Sequence, residues 1–228
     1  MILQYVQLLV SRMLVTMYRI GYLGTELCGI KQFYLYANGC DIEEQSDVKV
    51  KPWPYAGGQI PAYNDFLNNG WKEKYCLICD IDEFLCCDDS FDLDAVDFDV
   101  MLLNWKVFGS CGETQYRPEP VWERFKTPSP IDAVYNDELP FPVTENWHVK
   151  SIVKNNGKPK VFVNPHNCIV NCAGGKYVNA VGNECRNSPW KTPVWSGAWL
   201  NHYITKSRRR MGSTQIVQSR CMREQDKY

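Results

Sequence analysis

The stretch Tyr75-Cys76-Leu77-Ile78-Cys79-Asp80-Ile81-Asp82-Glu83-Phe84-Leu85 decides how this chain is read. An unbroken apolar run meets three carboxylates within four positions. Continuous apolar character of this length suits a central strand covered on both faces. Two aspartates at i and i+2 where such a strand ends are costly to desolvate unless a positive charge sits between them. The usual solution is a divalent metal, often with a diphosphate on its far side.

Working outward, residues 31–38 are bracketed by Gly29 and Gly39 and read as a strand. Residues 47–51 give a short second strand, ended by Pro52 and Pro54. Ile60, Tyr63 and Leu67 then recur at helical spacing until Asn69-Gly70 closes the helix. Residues 88–99 are acidic and turn-like, and a long strand is expected over 100–108. At the N-terminus, a strand over 3–10 and a helix from Met13 fit better than a membrane span, because Gln4, Gln7, Arg12 and Arg19 interrupt the apolar character. Membrane contact by an amphipathic helix is the lesser reading there. These units argue an α/β fold with a Rossmann-like, mostly parallel sheet. Pro118, Pro120, Pro128, Pro130, Pro140, Pro142 and Pro165 break the second half, which reads as loops and short strands forming one wall of a cleft. In open α/β sheets ligands collect at the carboxyl ends of strands, where Asp80 and Asp82 sit.

Composition narrows the partners. The net charge of −1 over 228 residues makes the whole molecule no electrostatic partner for nucleic acid. Eleven cysteines are an odd number, and no secretory signal precedes them, so a reducing, cytoplasmic setting is expected. Cys76 and Cys79 form a CxxC inside the apolar strand rather than in a knuckle. No second tight pair completes a zinc set, so the cysteines read as small buried hydrophobes.

The acidic residues divide into two groups. A solvated loop accounts for those from Asp88 to Asp99 without any function. It does not account for Asp80, Asp82 and Glu83, which have apolar neighbours on both sides. A calcium loop needs a glycine at its sixth position, and no glycine occurs between Asp80 and Asp99. A two-carboxylate site for phosphate chemistry, with Mg²⁺ or Mn²⁺, fits better.

A set of motifs then resembles a known family. Phe33-Tyr-Leu-Tyr-Ala-Asn38, Gln59-Ile-Pro-Ala-Tyr63-Asn64 and Asp80-Ile-Asp82-Glu83-Phe84-Leu85 are similar to segments of GT-A type glycosyltransferases of the family 2 and family 92 group. Asn104-Trp105, Phe108-Gly109, Glu123-Arg124-Phe125 and Val149-Lys150-Ser151-Ile152 follow in the family's order. Asn164-Pro165-His166 and the run His202-Tyr-Ile-Thr-Lys206-Ser207 complete it. Such enzymes are common in bacterial polysaccharide gene clusters.

The resemblance implies a metal-dependent inverting transfer of a sugar from a nucleotide-sugar donor, a UDP-sugar foremost, to a hydroxyl of a glycan or lipid-linked acceptor. It implies one GT-A domain over 1–228, with a nucleotide-sugar half (1–99), an acceptor-side half (100–207) and a basic tail (208–228). Asp80, Asp82 and His202 match metal ligands in Mn²⁺ or Mg²⁺ enzymes. Asn38, Gln59, Asn64, Asp80, Asp82 and Lys206 match positions about the nucleotide sugar. Trp105, Arg124 and His166 match the acceptor side. Glu123, Glu113 and Lys150 are the catalytic candidates. An inverting transferase needs a base within about 2.6–3.2 Å of the acceptor hydroxyl, directly or through one water. Glu123 beside Arg124 has the better motif context, although an ion pair with Arg124 or Lys126 explains it equally.

The chain departs from the family at both ends. Relatives open with a polar Lys-Asn-Glu type motif, which residues 8–21 lack. From Lys206 to Lys227 there are seven basic residues and two acidic ones. That excess reads as a solvated tail, with contact to anionic lipid at the inner face of the membrane as the alternative. Two other functions stay open: a nucleotidyl- or phosphotransferase using the same carboxylates, and a catalytically impaired glycosyltransferase-like binding protein.

Overall fold

The computed structural model describes residues 30, 32–38, 42–55, 58–69, 71–109, 117, 119–131, 145–185 and 192–203. The strand expected over 3–10, the helix from Met13, Glu113, Lys206 and the basic tail lie outside them. The described order opens with β1 (Phe33–Ala37), β2 (Val48–Pro52), α1 (Gln59–Asn68), β3 (Tyr75–Ile78), β4 (Glu83–Cys87) and β5 (Val100–Val107). It continues with α2 (Val121–Arg124), β6 (Val149–Lys154), β7 (Lys160–Asn164), β8 (Asn167–Val170), β9 (Tyr177–Asn179) and β10 (Ala198–His202).

The main sheet has the order β3-β6-β5-β10-β4, with β9 also on β5. β9 pairs the first half of β5 (Val100 to Leu102) and β10 its last part (Trp105 to Val107), both parallel. β6 is antiparallel to β5 and to β3, and β4 is antiparallel to β10. So β3, β5, β9 and β10 run one way, and β4 and β6 run the other. The expected α/β sheet is present as a mixed, partly parallel one. Four of its six strands run one way, but β6 and β4 make three of its five pairings antiparallel. β1 and β2 pair in parallel as a separate two-stranded sheet. β6 and β10 come from the half expected to be irregular. Both are short strands paired deep in the sheet, which supplies hydrogen bonds that local sequence does not advertise.

Period-2 alternation sorts the core into two layers. Met101, Leu103, Trp105 and Val107 of β5 join Leu77, Phe33, Leu35 and Val48 on one face. Val100 and Leu102 join Cys76, Ile78 and Tyr36 on the other. α1 covers this second face with Ala62, Tyr63 and Phe66, beside Phe162 of β7 and Cys168 and Val170 of β8. β1 and β3 thus share the same two layers. No helix among the described residues is long and apolar enough to cross a membrane.

One acidic residue is not the solvated side chain expected. Asp99 is buried, because its carboxylate accepts from Lys158 Nζ, Asn156 Nδ2 and the Lys176 backbone N–H. It fastens the start of β5 to two later loops. Asp88 likewise accepts from the Gly197 N–H at 2.7 Å, and its own N–H donates to the Gly197 carbonyl at 2.8 Å. Gly197 has φ +72°, and a Cβ there would meet the Ala180 carbonyl oxygen at 2.3 Å, so only glycine fits this entry to β10.

Asn64 clamps α1 to β7. Its Nδ2 donates to the Phe162 carbonyl at 2.9 Å and its Oδ1 accepts the Phe162 N–H at 2.7 Å. Asn64→Ala leaves two backbone groups without these partners and is expected to cost about 2 kcal/mol of unfolding free energy in a urea titration. A change below about 0.5 kcal/mol, the range of neutral surface substitutions, contradicts the clamp.

Candidate functional site

The strand directions gather the chemistry at one end of the sheet. β3, β5 and β10 finish there, and the two reversed strands, β4 and β6, begin there. Asp80 and Asp82 follow β3, Glu83 opens β4, Lys150 is the second residue of β6, and His202 closes β10. Register makes His202 the direct partner of both Glu83 and Val107.

Asp80 to Glu83 form a tight turn, with the Glu83 N–H donating to the Asp80 carbonyl at 3.1 Å. The Asp80 N–H in return donates to Glu83 Oε2 at 2.9 Å. The Asp82 carbonyl accepts the Tyr203 N–H at 3.0 Å, which ties the turn to the end of β10.

Asp80 is the most heavily bonded carboxylate of the site. Its Oδ1 accepts from Gln59 Nε2 at 2.6 Å and from the Tyr63 hydroxyl at 2.9 Å. Its Oδ2 accepts from Lys150 Nζ at 2.9 Å. Gln59 and Tyr63 are one helical turn apart on α1, so one helix face presents both donors. Tyr63 belongs to the helical apolar pattern, and only its i+4 relation to Gln59 signals the polar duty of its hydroxyl. Burial, with Asp80 and Glu83 nearby, holds that hydroxyl protonated, well above the usual tyrosine range.

Lys150 is wholly enclosed, with 0% of its side chain exposed, and its ammonium also lies 3.7 Å from Glu83 Oε1. Burial opposes its charge, yet Glu83 and Asp80 together raise its pKa above the ordinary lysine value. Burial also opposes the charge of Asp80. Lys150 and the Tyr63 hydrogen bond outweigh it, and the pKa falls below the ordinary value. Glu83 goes the other way: full burial raises it well above the usual carboxylate range despite Lys150. The cluster is thus a buried Asp80–Lys150 ion pair beside a carboxyl that favours its neutral form. Breaking such a pair by removing one partner costs about 3–5 kcal/mol.

All three histidines of the chain meet Trp105. His148 stacks on its indole at 4.9 Å between centroids, His166 meets it edge-on at 5.2 Å, and His202 edge-on at 4.1 Å. Nδ1 of His148 and of His166 lies 3.1 and 3.0 Å from the carbonyls of Glu145 and Val149. A carbonyl only accepts, so each Nδ1 carries its proton and each neutral ring keeps a lone pair on Nε2. Burial lowers all three pKa values: His166 to about 4, with Lys150 contributing, and His202 to about 3. His202 Nε2 is 3.7 Å from Asp82 Oδ1, and its Nδ1 is buried with no hydrogen-bond partner among the described residues. The resemblance assigns roles to His166 and His202, and nothing in the sequence indicates that β5, β10, the entry to β6 and the β7–β8 turn bring the three rings together.

The other sequence candidates fall in different places. Asn38 donates from Nδ2 to the carbonyls of Trp53 and Tyr55 at 2.7 and 2.8 Å, fixing the loop after β2. Asn64 is engaged in the β7 clamp. Trp105 is buried, with Nε1 lacking a hydrogen-bond partner among the described residues. Glu123 and Arg124 lie on α2, which packs against β4 through Trp122 on Phe84 at 5.7 Å. The Arg124 guanidinium lies 4.7 Å from the centre of the Phe125 ring. No hydrogen bond or ion pair joins Glu123 to the Asp80–Lys150 cluster.

A divalent metal was the expected occupant. Asp80 has both oxygens committed to protein donors, one of them an ammonium. Asp82 and His202 face each other. Among the described residues, no group of three or more His, Cys, Asp or Glu side chains is placed to hold a metal. The described residues therefore do not by themselves complete the metal site that the motif implies.

No family model matches the chain, and no curated protein does. Among solved structures the chain is similar to HddC from Yersinia pseudotuberculosis, at 13% identity and a TM-score of 0.34, over 100% of this chain and 87% of that one. At that score the functional reading rests on the geometry of the site itself.

The depressed histidines have a measurable consequence. A group whose folded pKa lies below its unfolded value contributes stability that is lost as pH falls from the unfolded pKa toward the folded one. For His166 that window runs from 6.5 down to about 4. In denaturant titrations across this range, His166→Gln should gain stability relative to wild type as pH falls, by up to about 3 kcal/mol at the acid end. The difference between the two proteins isolates this histidine from Glu83 and Glu145, whose raised values slope the opposite way. A difference that does not change with pH contradicts the assignment.

Proposed function

We propose that this chain is a glycosyltransferase-like protein that binds a nucleotide sugar, a UDP-sugar foremost, at the strand end bearing Asp80 and Asp82, and that its turnover is impaired. The observation that carries the reading is the state of Asp80. The carboxylate is preorganised by three protein donors, as a group that receives a ligand hydroxyl needs to be. It is also paired with an enclosed lysine. Transfer from a nucleotide sugar needs positive charge aimed at the leaving diphosphate. Lys150 is sealed from any ligand by its own burial, and the described part of α2 joins Glu123 to the cluster by no bond. Binding is supported better than catalysis.

A second reading has one observation in its favour. Asp82 and His202, from adjacent strand ends, approach to 3.7 Å, a carboxylate and an imidazole of the kinds that hold Mn²⁺ or Mg²⁺. On that reading the chain is a metal-dependent inverting hexosyltransferase acting on a glycan or lipid-linked hydroxyl, with Glu113 and Lys206 contributing. A nucleotidyl- or phosphotransferase would use the same carboxylates.

A donor screen separates these. UDP-, GDP- and dTDP-sugars are offered with Mn²⁺, binding is read by calorimetry and turnover by the phosphate products. The proposal expects saturable binding of one nucleotide sugar and release of nucleoside diphosphate at least a hundredfold below an ordinary enzyme rate of about 10 s⁻¹. Release of diphosphate at that ordinary rate sinks the impaired reading in favour of the active transferase. Pyrophosphate release from a nucleoside triphosphate and a sugar phosphate points to nucleotidyl transfer. Absence of binding to any nucleotide sugar removes the proposal altogether.

A further inference from the structure

The chemistry of the first carboxylate can be taken one step further. We infer that Lys150 is a built-in counter-cation that closes Asp80 to divalent metal, so that whatever the strand end binds, it binds without a metal bridging Asp80 and Asp82. The claim about metal stands on the residues alone; its extension to a nucleotide ligand rests on the function proposed above.

Three observations support it. First, both oxygens of Asp80 already meet protein donors, so of its roughly four lone-pair sites about one, on Oδ2, remains for a ligand hydroxyl. Oδ2 is taken by Lys150 Nζ at 2.9 Å, and Oδ1 by Gln59 and Tyr63 at 2.6 and 2.9 Å. A Mg²⁺ or Mn²⁺ ligand oxygen must come within roughly 2.0–2.2 Å of the ion. At that approach the ion would stand against the lysine ammonium or displace a hydroxyl or amide donor.

Second, Lys150 cannot swing aside. Its side chain is 0% exposed, while that of Asp80 is 33% exposed. The carboxylate therefore forms the outer, ligand-facing member of the pair and the lysine the inner one. The backbone of Lys150 is fixed between β5, where it faces Leu103, and the end of β3, where the next residue, Ser151, faces Ile78. A long flexible side chain at the surface could yield to a metal. A lysine enclosed in the middle of a sheet would first need a new solvation shell, at a cost of several kcal/mol.

Third, the charge is already balanced. The lysine cancels Asp80, which leaves Asp82 as the carboxylate facing His202. A two-carboxylate site attracts a divalent ion because two negative charges converge. Here one of them has been neutralised from behind, and the ion would also be repelled by Lys150.

The test is a titration of the full chain with Mn²⁺ alone, free ion being read by electron paramagnetic resonance. Wild type should show no binding tighter than about 1 mM, the weak end of protein cation sites. Lys150→Met keeps length and packing while removing the charge, and should tighten Mn²⁺ binding at least tenfold. Adding Asp80→Asn to Lys150→Met should abolish that gain, which assigns it to Asp80. Wild type binding one Mn²⁺ at micromolar concentration, with Asp80→Asn weakening it tenfold, overturns the inference. So does a Lys150→Met protein that folds and gains nothing. Should Lys150→Met fail to fold, the wild-type titration still decides between the millimolar and micromolar outcomes.

A companion calorimetric titration of UDP, with EDTA and with Mn²⁺, should give the same affinity within twofold. A tenfold gain from Mn²⁺ that Asp80→Asn removes overturns the inference as well. If UDP does not bind under either condition the proposed function fails, and the Mn²⁺ result stands independently of it.

Discussion

The buried pair between Lys150 and Asp80 is the interaction on which the rest of this site depends. An ammonium with no access to water must be matched by a carboxylate at hydrogen-bond distance, and the carboxylate's other oxygen must find donors as well. Both demands are met, the second by Gln59 and Tyr63 of α1. The arrangement fixes where α1 sits, since its first turn has to reach the end of β3. It also fixes the turn from Asp80 to Glu83, whose side chain returns to the Asp80 N–H.

Fold and site are coupled through strand direction. A uniformly parallel sheet would bring only carboxyl ends to this edge. By reversing β4 and β6, the chain adds residues from the starts of two more strands, Glu83 and Lys150, to the ends of β3, β5 and β10. Every charged group of the cluster is therefore held by backbone paired in the sheet or by the turn between β3 and β4, and its position follows from register. The histidine group around Trp105 is built in the same way, from β5, β10, the entry to β6 and the β7–β8 turn. Its rings remain neutral because they are shielded from water and lie near Lys150.

How much of this the sequence carries depends on the range of the interaction. The apolar run ending at Asp80, the alternation of β5 and the spacing of Ile60, Tyr63 and Leu67 are local signals, and they locate β3, β5 and α1 well. Lys150 is different. In Val149-Lys150-Ser151 it looks like a polar residue beside a cleft, because nothing within a few positions shows that both neighbouring strands enclose it. Asn64 resembles a nucleotide-pocket residue in its motif, yet its amide is spent on the backbone of a strand about a hundred residues later. Asp99 resembles the solvated aspartates before it, although three donors from two later loops bury it. In each case the local pattern is ambiguous and the partner is distant in sequence. The convergence of the three histidines is the extreme example.

These observations assign the strand end a defined electrostatic character: a carboxylate one-third exposed with its counter-charge buried behind it, and one further carboxylate beside an uncharged imidazole. That character favours holding a polar ligand by hydrogen bonds to a preorganised acceptor over gripping a diphosphate through a metal. The most direct measurement is anomalous scattering at the manganese edge from crystals grown with UDP and Mn²⁺. The account predicts Lys150 Nζ still at hydrogen-bond distance from Asp80 and no anomalous peak between Asp80 and Asp82. A manganese ion bridging those two carboxylates, with the lysine displaced, would contradict it.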